Sequence, residues 1–302
     1  MDRVLLAKGA IGEIVRRLQL KVGFAALAAD GWFGQATYDA ILSFQQDHQL
    51  PPSGEVDTAT WTALMAEPVP PVDDRSLQLT AHFEGHGFAL AQGNFDGSGI
   101  TWGIIGFTLK SGGIGRIVLE IGRARRDLLD EAFGSLAGDI VALMKRPWTE
   151  QLAFADSVSL GAKKVRLAEP WLTCFRRLGE MAEVQALQLE RARVDYADPA
   201  KQTAAEWNLV SELGRALAFD IHVQNGGIKP RVRARIKAAQ QGMPAPAERE
   251  LRAIIANAVA DASSAKYRED VRSRKMAIAT GSGNVHGWKY KLRNWGLQEL
   301  PA

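Results

Sequence analysis

Apolar residues recur at helical spacing from the start of the chain. Ile11, Ile14, Val15, Leu18 and Val22 share one face of a 3.6-residue period, as do Ala40, Ile41 and Phe44. Leu77, Ala81, Glu84 and Phe88 follow i, i+4, i+7 and i+11. That spacing predicts a helix from about Ser76 to Gly85 with Glu84 on its apolar face, near its C-terminal end. The stretch ITWGIIGFTL, 100–109, is rich in β-branched and aromatic residues and predicts a strand or hairpin. After about residue 122 the helical period returns in EAFGSLAGDIVALM, ALQLERARVDY, AAEWNLVSELGRALAFDIHV and ELRAIIANAVADASSAKYRED. The predicted fold is mainly α with a small β-hairpin or sheet near the start of the larger part.

The punctuation divides the chain. AEPVPPVDDR, 66–75, has Pro68, Pro70 and Pro71 within four positions and reads as a semi-rigid linker. The expected division is a module at 1–66, a linker at 67–75 and a larger domain at 76–302. The module holds a diverged internal repeat. Gly31-Trp32-Phe33-Gly34-Gln35-Ala36-Thr37 aligns with Gly54-Glu55-Val56-Asp57-Thr58-Ala59-Thr60, and Leu18-Gln19 with Phe44-Gln45. Each unit reads as a helix, a turn and a threonine at the N-cap or first turn of the next helix. A three-helix domain with no cluster of catalytic residue types is expected, and such modules bind more often than they catalyse. Its pattern, Gly9…Leu18-Gln19…Asp30-Gly31-x-Phe33-Gly34-x-x-Thr37…Phe44-Gln45…Gly54…Asp57…Thr60-Trp61…Leu64, resembles the peptidoglycan-binding domain family of cell-wall hydrolases. The resemblance implies a wall ligand, with Asp30, Trp32, Phe33, Thr37, Asp57 and Trp61 as candidate binding positions. Most of the pattern, the glycines, Leu18 and Phe44 among it, serves the three-helix fold.

Composition narrows the class. With 302 residues, 46% hydrophobic and 24% charged, the chain can bury a substantial core. Its single cysteine, Cys174, excludes an intrachain disulfide. No signal-like apolar segment follows MDRVLLAKGA, and no run approaches the ~18 apolar residues of a membrane span. Net charge is +3. Residues 1–66 carry 5 basic and 7 acidic side chains, the remainder 32 and 27. An anionic partner suits the basic remainder, although a charge run is usually a solvated face.

The candidate chemistry centres on TAHFEGHG, 80–87. His82 and His86 lie four apart and could share a helix face as metal ligands. In a zinc-peptidase H-E-x-x-H motif the base directly follows the first histidine. Here Glu84 falls two positions on, about 200° around the helix at ~100° per residue, pointing away from such a metal. No spacing nominates a third ligand, so no metal or other cofactor is expected. On an apolar face at a helix C-terminus, burial and the helix dipole are expected to favour the protonated form of Glu84, as a general acid requires. Twelve residues on, Asp96 sits in a glycine-rich turn, Asp96-Gly97-Ser98-Gly99, where it ionises normally. Two carboxylates in opposed environments are what glycoside hydrolysis needs, and Thr101 could hold the attacking water. The competing reading of Glu84 is a solvated or ion-paired surface residue.

FEG…DGSGITWGIIGFT resembles the start of the glycoside hydrolase family 46 chitosanases, with Phe83-Glu84, then Asp96-Gly97-x-Gly99-x-Thr101-x-Gly103, then Gly106-Phe107. The resemblance implies a lysozyme-like, two-lobed α+β catalytic domain, with Glu84 as acid, Asp96 as base and Thr101 beside the water. AFDIHVQNGG, 218–227, resembles a later family segment and nominates Gln224 and Asn225 for substrate binding. His286 and Trp288 in GSGNVHGWKYKLRNWGL either line the sugar groove or belong to a packed C-terminal cap. The gap from Glu84 to Asp96 is short for a chitosanase. With the module's implied wall ligand, it favours a muramidase that cleaves between N-acetylmuramic acid and N-acetylglucosamine. That is a phage endolysin, made in the host cytoplasm and released through a holin to the periplasmic wall. The expected partner is peptidoglycan, with no nucleic acid, no stable membrane insertion and a monomeric state. The alternatives are a chitosanase, a zinc-dependent peptidase or amidase, and a non-catalytic wall-binding virion protein.

Overall fold

The structure, a computed structural model, describes residues 3–85, 87–241 and 246–302. It is mainly helical with small antiparallel sheets, as the patterning predicts. The chain divides into two compact units, one built from residues 1–83 with 195–302, the other from 84–194.

The first unit opens with β1 (Val4–Leu6), α1 (Glu13–Lys21), α2 (Gln35–Asp47), β2 (Val56–Asp57) and α3 (Thr58–Met65). The three predicted helices form, with β1 paired antiparallel to β2. The internal repeat has a physical basis in two buried glutamines. Gln19 Nε2 donates to Asp30 Oδ1 (2.9 Å), Trp32 O (3.0 Å) and Thr37 Oγ1 (3.0 Å), and its Oε1 accepts from Gly31 N (2.8 Å). Gln45 Nε2 donates to Glu55 O (2.7 Å) and Thr60 Oγ1 (3.0 Å), and its Oε1 accepts from Ser53 N (3.0 Å) and Gly54 N (2.8 Å). Each amide satisfies the polar backbone of one turn where water cannot reach it. Thr37 and Thr60 are thus third residues of their helices, held by these amides. The caps are Gly34 and Asp57, and Asp57 accepts from Thr60 N at 2.7 Å.

α4 (Val72–Glu84) begins four residues earlier than predicted, taking 72–75 out of the expected linker. Asp73 and Asp74 stand in its first turn, where the helix dipole favours acids. The remaining linker is pinned. Trp61 Nε1 donates to Glu67 O (3.2 Å) and Pro68 O (3.1 Å), and Arg75 Nε donates to Pro70 O (3.1 Å). α4 is not amphipathic, because every residue from Arg75 to Ala81 is buried, polar ones included. Those polar groups are spent on neighbours. Gln78 Oε1 accepts from Glu13 N (2.8 Å), Arg75 meets Glu212 at 2.8 Å, and Thr80 Oγ1 donates to Asp220 Oδ1 (3.0 Å).

The second unit continues with β3 (Ala91–Gln92), β4 (Thr101–Trp102), β5 (Phe107–Thr108), α5 (Gly113–Ala124), α6 (Arg126–Phe133), α7 (Ala137–Met144), α8 (Trp148–Ser157), β6 (Ser159–Leu160), β7 (Arg166–Leu167), α9 (Trp171–Glu180) and α10 (Ala182–Ala192). The predicted hairpin is the β4–β5 pair, and β3 completes a three-stranded antiparallel sheet in order β3-β4-β5. Ile114, Ile117, Val118 and Ile121 of α5, Leu129, Ile140 and Phe175 form the unit's apolar centre. Cys174 is buried here, and burial raises its thiol pKa.

The chain returns to the first unit with α11 (Asp198–Glu206), α12 (Glu212–Asn225), α13 (Pro230–Gln240), α14 (Glu248–Ala262) and α15 (Arg268–Thr280). Strands β8 (Ser282–Val285) and β9 (Trp288–Lys291) and a 3-10 turn at Leu292–Trp295 follow. The segment AAEWNLVSELGRALAFDIHV, periodic throughout, is broken between α11 and α12. Asn208 takes a left-handed conformation there (φ 52°) and Ser211 caps α12 by accepting from Gly214 N (3.0 Å). The C-terminal segment docks on the N-terminal module. Ala7 N donates to Asn294 O (3.0 Å), Trp295 Nε1 to Ile11 O (3.0 Å) and Gln298 Nε2 to Val4 O (3.0 Å), while Arg293 makes two 2.6 Å bonds to Glu55. The module is therefore packed into its unit, where the prolines had suggested a tether.

Candidate functional site

Glu84 is the last residue of α4 and is half-buried. The chain turns at Gly85, and His86 lies outside the described residues, as does any statement about the His82/His86 pair as ligands. His82 itself is enclosed by rings. Its centroid lies 5.6 Å from Tyr290, 6.0 Å from Trp295 and 6.1 Å from Trp288. Loss of water around it lowers its pKa. Among the described residues no group of three His, Cys, Asp or Glu side chains could hold a metal ion.

Asp96 lies at the tip of the loop between β3 and β4 and is exposed. Its Oδ1 accepts from Ser98 N (2.9 Å), an Asx turn that fixes the carboxylate. The loop is held at its base by Asn94, a residue the sequence reading passed over. Asn94 Oδ1 accepts from Gly99 N (2.9 Å), its Nδ2 donates to Asp156 Oδ1 (2.7 Å) and its backbone N donates to Ser159 Oγ (2.8 Å). Lys164 bonds the same Asp156 oxygen at 2.5 Å, and these two donors, the lysine foremost, hold the Asp156 carboxyl below its usual range. Gly93 N donates to Val165 O (2.9 Å), and a Cβ on Gly93 would meet Lys164 O and Ser159 Oγ at 2.5 Å. Only glycine lets the strand approach that closely. Phe95, next to Asp96, is an exposed aromatic side chain.

Thr101 is buried and begins β4, paired with Gln92 on one side and Thr108 on the other. Trp102 beside it is fully buried and donates from Nε1 to Phe175 O (2.8 Å). The following turn depends on Gln188 of α10, also missed in the sequence. Gln188 Oε1 accepts from Ile104 N (2.9 Å) and its Nε2 donates to Phe88 O (3.0 Å). At Gly103 (φ 88°) a Cβ would stand 2.4 Å from Gln188 Oε1. Neither Asn94 nor Gln188 carries a periodicity signal, because each acts through amide geometry across long sequence distance. Glu84, Asp96 and Thr101 thus belong to one compact unit, Glu84 at a helix end and the other two on the sheet and its loop.

The remaining nominated residues fall in the first unit. Gln224, near the end of α12, accepts from Lys275 Nζ at 2.6 Å, and Asn225 Oδ1 is buried with no hydrogen-bond partner. His286, at the β8–β9 turn, lies 2.6 Å from Asp270 Oδ1 and is half-exposed, while Trp288 is exposed. Val285, Tyr290, Leu292 and Trp295 around them are buried, so the segment packs through these side chains while His286 and Trp288 stay outside. In the module, Phe33, Thr37 and Trp61 are buried and serve the fold, and Asp57 is a helix cap. Trp32 is 55% exposed, beside Asp30, whose carboxyl is held low by bonds from Gln19 and then Trp32 N.

Residues 9–64 match the family model described as a putative peptidoglycan binding domain. Among solved structures, the chain is similar to the Gynuella sunshinyii GH46 chitosanase in complex with chitotetraose. The two are 18% identical with a TM-score of 0.48, over 71% of this chain and 88% of that one. It is also similar to the native chitosanase of Bacillus subtilis MY002, 19% identical with a TM-score of 0.46, over 70% of this chain and 86% of that one. No match is found among curated proteins. The architecture is modular, a binding-type module joined to a part similar to glycoside hydrolases.

These comparisons correct the expected reaction. The similar solved structures are chitosanases, which goes against the expected muramidase, lysozyme and endolysin identity. Arg75, Arg252, Arg274 and Lys275 are buried in ion pairs with Glu212, Glu248 and Asp220 inside the fold. No helix among the described residues is long and apolar enough to cross a membrane.

Proposed function

We propose that the chain is a chitosanase-type glycoside hydrolase acting on a β-1,4-linked glucosamine polymer, with Glu84 as general acid, Asp96 as the base that activates water and Thr101 as a positioning residue for that water. The observation that carries this reading is the FEG…DGSGIT motif, with its half-buried glutamate at a helix end and its exposed aspartate in an Asx turn on a braced loop. Glycoside hydrolysis by this type of pair uses one carboxyl as proton donor and a second, open to water, as base. Phe95 offers a sugar-stacking face beside the base. The catalytic part spans 76–302. The module at 1–66 binds peptidoglycan through the exposed face that carries Trp32, keeping the enzyme at the cell envelope as a monomer.

The test is reducing-end release from soluble chitosan, with mass spectrometry of the fragments. Glu84→Gln and Asp96→Asn should each lower the rate by about 10²-fold or more with the fold intact by circular dichroism. A Glu84→Gln variant as active as the parent would remove the acid from the mechanism. For the module, Trp32→Ala should release the protein from isolated sacculi, and unchanged sedimentation would refute that role.

A further inference from the structure

The basic C-terminal third holds a cleft that this function does not use. Arg231 and Arg235 stand four apart on α13, and Arg268 opens α15. Together with Ser263, Ser264 and Asp261 at the end of α14 they line a cavity of about 560 Å³. That is the size of a small-molecule site. The acidic groups near it are already engaged. Asp261 bonds Arg272 at 2.6 Å, Glu269 meets the same guanidinium at 3.3 Å, and Asp270 lies 2.6 Å from His286. The carbonyls at the α14 C-terminus are covered too, since Arg231 donates to Ala262 O (2.9 Å) and Ser263 Oγ to Val259 O (3.2 Å). Arg231, Arg235 and Arg268 make no ion pair within 4 Å among the described residues, and Arg268 Nε is buried with no hydrogen-bond partner. Arg233, between the first two, is turned to Glu206 and takes no part.

Asp261 in the same lining is attracted to Arg235 and Arg268 but is bonded to Arg272, so three guanidinium groups line the cavity against a single shared carboxylate, and planar forked donors match phosphate oxygens bidentately. We propose that this cleft is a phosphate-binding site, taking a phosphate group either free in solution or on a lipid headgroup. Arg231, Arg235 and Arg268 donate to its oxygens, and the Ser264 hydroxyl lies beside it. The site is independent of the glycosidase reading, since it contains none of Glu84, Asp96 or Thr101.

The experiment titrates inorganic phosphate into the full-length protein at low ionic strength, by calorimetry. Saturable one-to-one binding is expected, weakened by about tenfold or more in Arg231→Gln/Arg235→Gln, since two charge-assisted contacts are lost. Arg268→Gln alone should weaken it as well. Co-sedimentation with phosphatidylglycerol vesicles then assigns the source: pelleting that the double variant loses marks a headgroup site, and protein left in the supernatant marks a soluble phosphate. The proposal is overturned if phosphate shows no saturable binding, or if folded variants bind it as tightly as the parent. Chitosan hydrolysis should be the same in parent and variants, so loss of this site and loss of the enzyme are read separately.

Discussion

Asp220→Asn tests what holds α4, the helix that ends in Glu84. Asp220 is fully buried on α12 and accepts from Thr80 of α4 (3.0 Å), from Arg274 Nη2 (2.7 Å) and from Lys275 Nζ (2.5 Å). Burial opposes its charge. Arg274 and then Lys275 outweigh that and hold its pKa at about 2. The substitution keeps the shape but takes the carboxylate from two buried cations. Breaking one partner of a buried ion pair costs about 3–5 kcal/mol. In urea denaturation followed by circular dichroism, the midpoint should fall at unchanged slope, so that the unfolding free energy drops by that amount. Asp220→Asn with Lys275→Gln should cost less than the two single changes added. A loss under about 1 kcal/mol, or strict additivity, would refute the reasoning. The pH dependence has a definite sign. Because the folded pKa lies below the usual 3.8, the charged form is favoured by folding. Its contribution is fully present above about pH 4 and disappears as pH falls to about 2. Its size is about 2 kcal/mol. Stability that rose across that window on acidification would contradict it.

Gln19→Leu and Gln45→Leu should each destabilise the first unit by about 2 kcal/mol or more, since each strands several buried donors and acceptors. Thermal melts read this, and a loss below about 0.5 kcal/mol would mean the amides are dispensable. Gly103→Ala should impair folding of the second unit through the 2.4 Å approach to Gln188 and the positive φ, a loss that urea titration would show; a melting curve like the parent's would overturn it. Asp57→Ala should cost about 1 kcal/mol as a lost helix cap. Dialysis against EDTA should leave chitosan hydrolysis unchanged, because His82 is shut in among three rings. Activity lost to EDTA and restored by zinc would revive the metal reading.

The sequence by itself determined the elements whose signal is local. Helical periodicity gave the helices of both units, the Gly/Thr repeat gave the module's three helices, and DGSG gave the exposed turn that carries Asp96. It could not give what depends on partners far along the chain. Apolar spacing made α4 look one-sided, yet its polar residues are buried too, answered by Glu13, Asp220 and Glu212 from distant segments. Three prolines looked like a tether, whereas Asn294, Trp295 and Gln298 clamp the module to the C-terminal turn. Asn94 and Gln188 brace the Asp96 loop and the turn after β4 by side-chain amide hydrogen bonds spanning up to 100 residues, and no window of sequence registers such a bond. Charge shows the same divide. A formal charge is a property of the sequence, but whether it faces water or a buried partner is decided by packing alone.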